Sequence, residues 1–523
     1  MDAAKIMNEL KTRLKIEPVS VTAPRADEMY IEVAPADFKA ACHRLHKILH
    51  SPVMLLFALD ERPAKGSYAI HCLFLALEYR RWIFICTNIA GEKPAFDSIA
   101  KEVYSANLFE REIKEMFGIE PKGNPDDRRL RLHDEVWPEG FYPLRKDFDP
   151  RLASGEIGEY RFAKVEGEGI FEVPVGPVHA GIIGPGHFRF SVAGEPIIHL
   201  DIRLGFSHRG VEKLFEGKRP DEAVKLSECV AGDSSFAHSG SFCRAVEKIA
   251  GVSVPERALY LRVIFLELER MYNHMAGISG IALDVGFSFA AAYASMVKEA
   301  IHALNEALTG SRYLKVVNVV GGVLKDIDEQ KKVRLVSAID KIMKDLREIK
   351  AILNANGSFL DRVDGTGVLA KNIAEDLGIV GLAGRASGIA LDLRKNAPVY
   401  ATAGFNLVTR KEGDVMARLN VRLDEFEESA RLVRELVRKL PAGELIAENH
   451  PVEGSGLGYV EGWRGPVLYW LKLGQDGRIE RCKVVDPSFH NWPGLSSAVL
   501  ENIIPDFPVC NKSFDLSYAG NDL

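Results

Sequence analysis

The first 121 residues switch between strand-like and helix-like spacing. Tyr30–Val33 reads as a short strand, and Ala36–Leu49 places apolar residues at helical intervals. Three apolar runs follow: VMLLFAL (Val53–Leu59), YAIHCLFLAL (Tyr68–Leu77) and WIFICTNI (Trp82–Ile89). ERPAKGS separates the first two runs, and a tight Tyr79-Arg80-Arg81 turn separates the second from the third. The pattern predicts an antiparallel sheet. Helical spacing returns at Ala95–Tyr104 and Leu108–Phe117, so residues 1–121 read as a small α+β domain.

The periodicity then stops. Lys122–Pro150, KGNPDDRRLRLHDEVWPEGFYPLRKDFDP, carries prolines at 125, 138, 143 and 150 among many charges. It predicts an extended arm (122–165) whose Trp137, Phe141, Tyr142 and Phe148 need a surface to lie on. Beyond it, Phe171–Val175, Phe188–Ala193 and Ile197–Leu204 read as strands, with a hairpin turn at Ala193-Gly194-Glu195. Long amphipathic helices are expected at Pro255–Ala276, Asp328–Leu353 (Asp328 as N-cap) and Leu423–Lys439. From about 455 the chain returns to strands, LGYVEGWRGPVLYWLKLGQDGRIERCKVV. Ala276–Val297 is long enough to span a bilayer, but Asp284, Gly286 and its small residues read as a buried loop and core helix. The expected fold is therefore α+β: the small sheet domain, the arm, and a large, mostly helical domain (166–523) with sheet portions at both ends.

Composition removes several function classes. The chain has 523 residues, and 67 Lys and Arg against 73 Asp and Glu give a net charge of −6. That argues against a general polyanion binder. The basic cluster Arg128–Arg131 with Arg145-Lys146 is interleaved with Asp126, Asp127, Asp134 and Asp147, which reads as docking rather than nucleic-acid binding. Seven cysteines, none in a CxxC spacing, support free thiols rather than disulfides, a zinc ribbon or a ferredoxin-type cluster. DGTG (Asp364–Gly367) lacks the strand–loop–helix setting of a dinucleotide site. The N-terminus, MDAAKIMNELKTRLKIEP, has no signal-peptide apolar core.

Longer motifs carry a resemblance. EREIKEMFGIEPKGNPDDRRL (Glu110–Leu130) and YPLRKDF (Tyr142–Phe148) resemble the 30-kDa-type subunit of respiratory complex I. VGPVHAGIIGPGHFRF (Val175–Phe190), HRGVEKL (His208–Leu214), the stretch Ser235–Met275, segments within Asp364–Arg394, and GYVEGWRGPVLYWLKL (Gly458–Leu473) resemble the 49-kDa-type subunit. They are closer still to the large subunit of energy-converting nickel–iron hydrogenases. Both parts on one chain match the fused forms of these subunits.

The departures from that family are as informative as the matches. The hydrogenase metal site uses two CxxC pairs, because soft metals take thiolate ligands. The resemblance aligns the first pair with Ala231 and Ser234 and the second with Ser517 and Gly520, so all four thiolates are missing. Cys229 and Cys510 lie off register and are expected to point elsewhere. The chain stops three residues beyond Gly520, so no cleaved C-terminal extension is expected. Quinone chemistry in the complex I subunit uses a His and a Tyr; these positions align with Pro185 and Cys229, while His187 sits two residues on in a hydrogenase-like pattern.

What survives by resemblance is polar. Glu212 aligns with a glutamate that carries protons from the metal in hydrogenases. His208 and Arg209 precede it, His238 keeps the FAH position, and Glu228, Asp233 and Asp515 are expected to crowd the vacated pocket. Carboxylates that share such a pocket can relay protons. The resemblance implies a catalytic-type large subunit in a respiratory, complex I-related oxidoreductase with NAD- and quinone-linked relatives, but not an active hydrogenase. No cofactor or metal is expected in this chain. An iron–sulfur cluster is expected in an adjacent small subunit of the complex I 20-kDa type. Further expected partners are a ferredoxin-like subunit and antiporter-like membrane subunits, with no nucleic acid. The chain is expected at the cytoplasmic face of the membrane, peripheral and without a transmembrane segment. An active quinone-reactive subunit and a non-catalytic scaffold are the alternatives.

Overall fold

A computed structural model describes residues 13–152, 155–178, 183–450 and 452–523. Most of the N-terminal segment read for a targeting signal, and the His179–Ile182 part of the hairpin motif, lie outside the described residues. The first domain is a five-stranded sheet, ordered Ser20–Arg25, Glu28–Glu32, Arg81–Ala90, Ser67–Ala76, Leu55–Asp60. Leu55–Asp60 is buried along its whole length, which is why it reads as a continuous apolar run rather than an alternating one. The sheet is mixed, not antiparallel: Glu28–Glu32 runs parallel to Arg81–Ala90. Parallel neighbours need a long connection, and residues 33–80, with the Phe38–Leu49 helix and a whole strand pair, supply it.

The helix expected at Ala95–Tyr104 does not form. Ala95–Asp97 is a strand paired in parallel with Glu120–Lys122. The buried Glu110 carboxylate takes hydrogen bonds from Ser98 Oγ (2.6 Å) and Ile99 N (2.7 Å), which fixes the backbone there in a turn. Leu108–Phe117 is helical as expected, at Asn107–Phe117.

The arm packs on the second domain. Arg128 pairs with Asp201 (2.7 Å), Arg203 with Glu135 (2.5 Å), and Arg131 donates twice to the Asn521 carbonyl (3.0 and 2.7 Å).

The second domain begins with the sheet Ile197–Arg203, His187–Ala193, Ile170–Val175. Its helical body comprises Ser235–Ala250, Glu256–Asp284, Ser288–Thr309, Glu329–Asn354 and Val415–Arg438. Glu256–Asp284 runs into the segment read as a buried loop and core helix (Ala276–Val297), Asp284 ends it exposed at the surface, and the helix Ser288–Thr309 takes up the rest. Asp328 is the N-cap of Glu329–Asn354, accepting from Lys331 N. Among the described residues no helix is long and apolar enough to cross a membrane.

A C-terminal sheet, Gly454–Glu461, Pro466–Leu473 and Ile479–Val485, joins the two domains. Its alternation explains the joint. Val467, Tyr469, Leu471 and Leu473 enter the helical core, while Leu468 and Trp470 enter the core of the first domain. Trp470 packs against Phe57 with ring centroids 4.7 Å apart, tilted by 46°. On the other face, Ser241 Oγ donates to the Gly458 and Val467 carbonyls (both 3.0 Å). A Cβ at Gly458 would lie 2.0 Å from the Ser241 carbonyl, so only glycine allows this approach. The strands expected to the chain end stop at Val485; Pro487–Ala498, Phe507–Phe514 and Tyr518–Asp522 are helices.

Candidate functional site

The fold brings three segments together: the turn before Ser235–Ala250, the turn at Gly462–Gly465, and the C-terminal stretch from Asp515. Arg464 is the hub. Its two terminal nitrogens form a fork on Asp233 (2.9 and 2.7 Å), Nη1 also reaches Ser234 Oγ (3.3 Å), and Nε donates to the Asp515 carbonyl. Ser234 Oγ donates to Asp233 (3.0 Å) and accepts from Trp463 Nε1 (3.0 Å). Asp515 sits in the left-handed region at φ 56° and pairs with Lys512 at 2.8 Å. Burial would raise its pKa, but Lys512, Arg464 and Arg422 outweigh that and lower it.

The C-terminal pair is equally committed. Ser517 N donates to Ser488 Oγ (2.9 Å), and Ser517 Oγ accepts from Gly520 N (2.9 Å) as the N-cap of the last helix. Gly520 packs against Asp486: a Cβ at 520 would lie 2.6 Å from the Asp486 carboxylate. Asp486 caps Pro487–Ala498 with one oxygen, on Ser488 N (2.8 Å), and reaches His238 Nε2 with the other (3.2 Å). His238 Nδ1 meets Tyr469 Oη at 3.0 Å. A buried Asp486–His238–Tyr469 chain thus runs inward from Gly520. Burial opposes the charge on Asp486, and His238, Arg464 and Ser488 hold its pKa down. Arg209, exposed, ties the two halves by donating to the carbonyls of Cys229 (2.9 Å), Val230 (3.0 Å) and Ala519 (2.9 Å).

The positions aligned with metal ligands therefore do converge, but they do not fit a nickel–iron centre. Ala231 and Gly520 offer no ligand atom, both serine hydroxyls are engaged, and Asp486 fills the space beside Gly520. Cys229 lies exposed, its thiol donating to the Lys225 carbonyl, and the Cys510 sulfur is buried against Gly367 and Arg418. Among the described residues no group of three or more His, Cys, Asp or Glu side chains is arranged to hold a metal ion.

Glu212 corrects the sequence reading. It is 5% exposed and locked in an ion-pair network. Arg481 Nη2 lies 2.8 Å away, Lys483 Nζ 2.9 Å and Val484 N 3.0 Å. Lys483 also pairs with Glu112 (2.5 Å), which pairs with Arg131 (2.7 Å). Burial alone would raise the pKa of Glu212; Arg481 and Lys483 outweigh it and hold it at about 2. A carboxylate held ionised this firmly does not take up a proton near neutrality. The expected companions also separate. Asp233 and Asp515 share Arg464, but Glu228 turns away to accept from Val316 N (2.7 Å), and His238 pairs with Asp486 instead. His208, its pKa lowered by burial, bonds the Asp522 carbonyl (2.7 Å). It borders a void of about 20 Å³ next to Glu212. His187 stands apart, against the Gly176 carbonyl (3.2 Å) and the Phe162 ring, its pKa lowered by burial.

Sequence reasoning passed over Arg464, Asp486, Lys483 and Arg481. A usable signal was present for two of them: Arg464 lies in a Gly-flanked turn between strands, and Asp486 precedes Pro487, the pairing of an N-cap with proline in the first turn.

Comparisons with known proteins agree with this architecture. Residues 31–153 match the family model "Respiratory-chain NADH dehydrogenase, 30 Kd subunit", and residues 284–453 match "Respiratory-chain NADH dehydrogenase, 49 Kd subunit". Formate hydrogenlyase subunit 5 of Escherichia coli (strain K12) is 33% identical over 480 residues, covering 90% of this chain and 84% of that protein. The C/D fusion protein of NADH-quinone oxidoreductase from Phocaeicola vulgatus is 33% identical over 419 residues, covering 75% of this chain and 80% of that one. A solved structure of the membrane-bound sulfane sulfur reductase, an archaeal respiratory membrane complex, superposes with a TM-score of 0.64 at 25% identity, covering 68% of this chain and 99% of that chain. The chain belongs to the family of fused 30-kDa and 49-kDa complex I subunits and related hydrogenase large subunits.

Proposed function

We propose that this chain is the catalytic-type large subunit of a membrane-associated, energy-converting complex of the complex I and hydrogenase superfamily, and that it works without a nickel–iron centre. In this reading, electrons arrive from iron–sulfur partners and their passage is coupled to ion translocation on the cytoplasmic side. A relative named as a membrane-bound hydrogenase subunit and the solved archaeal respiratory membrane complex support the assembly. The observation that carries the metal-free reading is Gly520 packed on Asp486, with Ser234 and Ser517 spent on internal hydrogen bonds.

The proposed task of the chain's own residues is to hold and move protons and to brace the surface facing the partner cluster. Asp486, His238 and Tyr469 form a buried hydrogen-bonded chain in which the ionised Asp486 orients the imidazole and His238 is the group that takes up and releases the proton. Arg464 holds Asp233 and the Asp515 backbone in register at the outer end. The scaffold reading draws on one specific observation, the full ion pairing of Glu212. Nothing comparable favours direct quinone binding, because Cys229 faces the surface and supplies no phenol.

Elemental analysis of the intact purified complex tests the first claim. Iron and acid-labile sulfide from the partner subunits should be present without stoichiometric nickel; one nickel per chain would overturn it. The second claim is tested with His238→Gln and Asp233→Asn. Both variants should keep iron content and lower redox-driven ion translocation, by about tenfold if proton transfer limits the rate. Wild-type translocation in both would leave the scaffold reading standing.

A further inference from the structure

A cavity of about 790 Å³ opens where the first domain meets the helical body, with Leu75 and Trp82 of the first-domain core and Tyr459 of the C-terminal sheet in its wall. Its volume is within the ~300–1,000 Å³ usual for small-molecule sites. Its walls are mostly apolar: Trp82 from the first domain, Leu259 and Val263 from Glu256–Asp284, and Val399. Into this setting projects the half-buried Arg244, which donates one hydrogen bond, to the Tyr459 carbonyl (3.0 Å).

The neighbouring charges are already used. Glu247 binds Arg262 through both oxygens (2.9 and 2.6 Å) and accepts from Gly321 N (2.8 Å). Lys248 is taken by Asp27 (2.5 Å) and Glu28 (3.4 Å). Among the described residues no carboxylate forms an ion pair with Arg244, and burial together with Arg262 lowers its pKa. Arg80, exposed at the mouth, adds a second guanidinium. A desolvated cation in an apolar cleft is stabilised by an anion brought in with the ligand.

We propose that this cavity binds a single-chain anionic amphiphile, with a carboxylate head group on Arg244 and a hydrocarbon chain along Leu259, Val263 and Val399. The volume suits one acyl chain, and the unneutralised Arg244 guanidinium, with Arg80 beside it, calls for an anionic head group.

Isothermal titration of the full-length chain with decanoate, decanol and acetate tests this. Decanoate should bind saturably, decanol about tenfold or more weaker, and acetate not detectably. Arg244→Gln should reduce decanoate affinity by about tenfold and leave decanol affinity unchanged, because only the charge-assisted bond is removed. Leu259→Trp, which fills the cleft from its partly exposed rim, should abolish binding of both and keeps the test decisive should the Arg244 variant not fold. Equal affinity for decanol and decanoate, unchanged decanoate binding in either variant, or non-saturable uptake alone would overturn the proposal. So would co-sedimentation with phosphatidylglycerol vesicles in the absence of decanoate binding, which would assign the surface to a bilayer instead.

Discussion

Replacing Glu212 by Gln separates a structural ion pair from a proton carrier. The substitution keeps size and removes the charge. It leaves Lys483 with Glu112 but strips Arg481 of its carboxylate partner at 2.8 Å. Breaking a buried pair by deleting one partner costs about 3–5 kcal/mol. Linkage gives the same sign: burial alone would raise the pKa of Glu212, but Arg481 and Lys483 outweigh it and hold it well below the ordinary carboxylate range. A depressed acid contributes stability above its unfolded pKa and loses it as pH falls through the folded one. The difference between wild type and Glu212→Gln should therefore be constant at and above about pH 5 and shrink between about pH 4.5 and 2. Thermal denaturation at pH 7 should show the variant's midpoint lower by about 3–5 °C. An unchanged midpoint at pH 7, with translocation lowered about tenfold in a fully assembled complex, would refute the structural assignment and restore Glu212 as a proton carrier.

Other outcomes follow from the same contacts. In the folded protein the arm should resist protease between Gly123 and Pro138, and Arg131→Ala, which removes the bonds to Glu112 and the Asn521 carbonyl, should expose it to rapid cleavage on a gel time course. A thiol reagent should modify Cys229 quickly and the buried Cys42, Cys72, Cys243, Cys482 and Cys510 only on unfolding; Cys229→Ser should remove the fast phase. Arg464→Lys should destabilise despite conserving charge, by about 1–3 kcal/mol in a chemical melt, because an ammonium cannot reproduce the fork on Asp233.

Elements specified by local periodicity were legible in the sequence. Asp328 and its helix, the strands Arg81–Ala90 and Ser67–Ala76, and the hairpin at Gly194 all formed within a few residues of the reading. Elements decided by distant partners were not. Ala95–Asp97 has a helix-compatible spacing, yet pairs with Glu120–Lys122 and is pinned by Glu110. The parallel placement of Glu28–Glu32 depends on a connection whose path no local pattern encodes. The site divides in the same way. Motif alignment identified the segments that converge, but a carboxylate's role is set by its neighbours. Glu212 was separated in sequence from Arg481 and Lys483 by more than a whole domain's length of chain, and its ion pairing could not be read from HRGVEKL.

The same coupling governs the vacated ligand positions. Gly520 is more than a lost cysteine, because Asp486 uses the space that a side chain would take. A Cβ at 520 would stand 2.6 Å from Asp486 Cγ and Oδ2, closer than real Cβ contacts allow. Asp486 cannot swing aside without losing the cap on Ser488 N or the contact with His238. Gly520→Ala should therefore destabilise by about 1–3 kcal/mol, as overpacking does. Ser517→Ala, which removes only the cap on Gly520 N, should cost about 1 kcal/mol. Asp486→Ala frees the contested space, so Gly520→Ala in that background should cost much less, giving a coupling of about 1 kcal/mol or more in a double-mutant cycle. Strict additivity would show that Asp486 does not occupy the site. With coupling, restoring cysteine at 231, 234, 517 and 520 should still yield no stoichiometric nickel while Asp486 is present, because the fourth thiolate would have to enter space the carboxylate already holds.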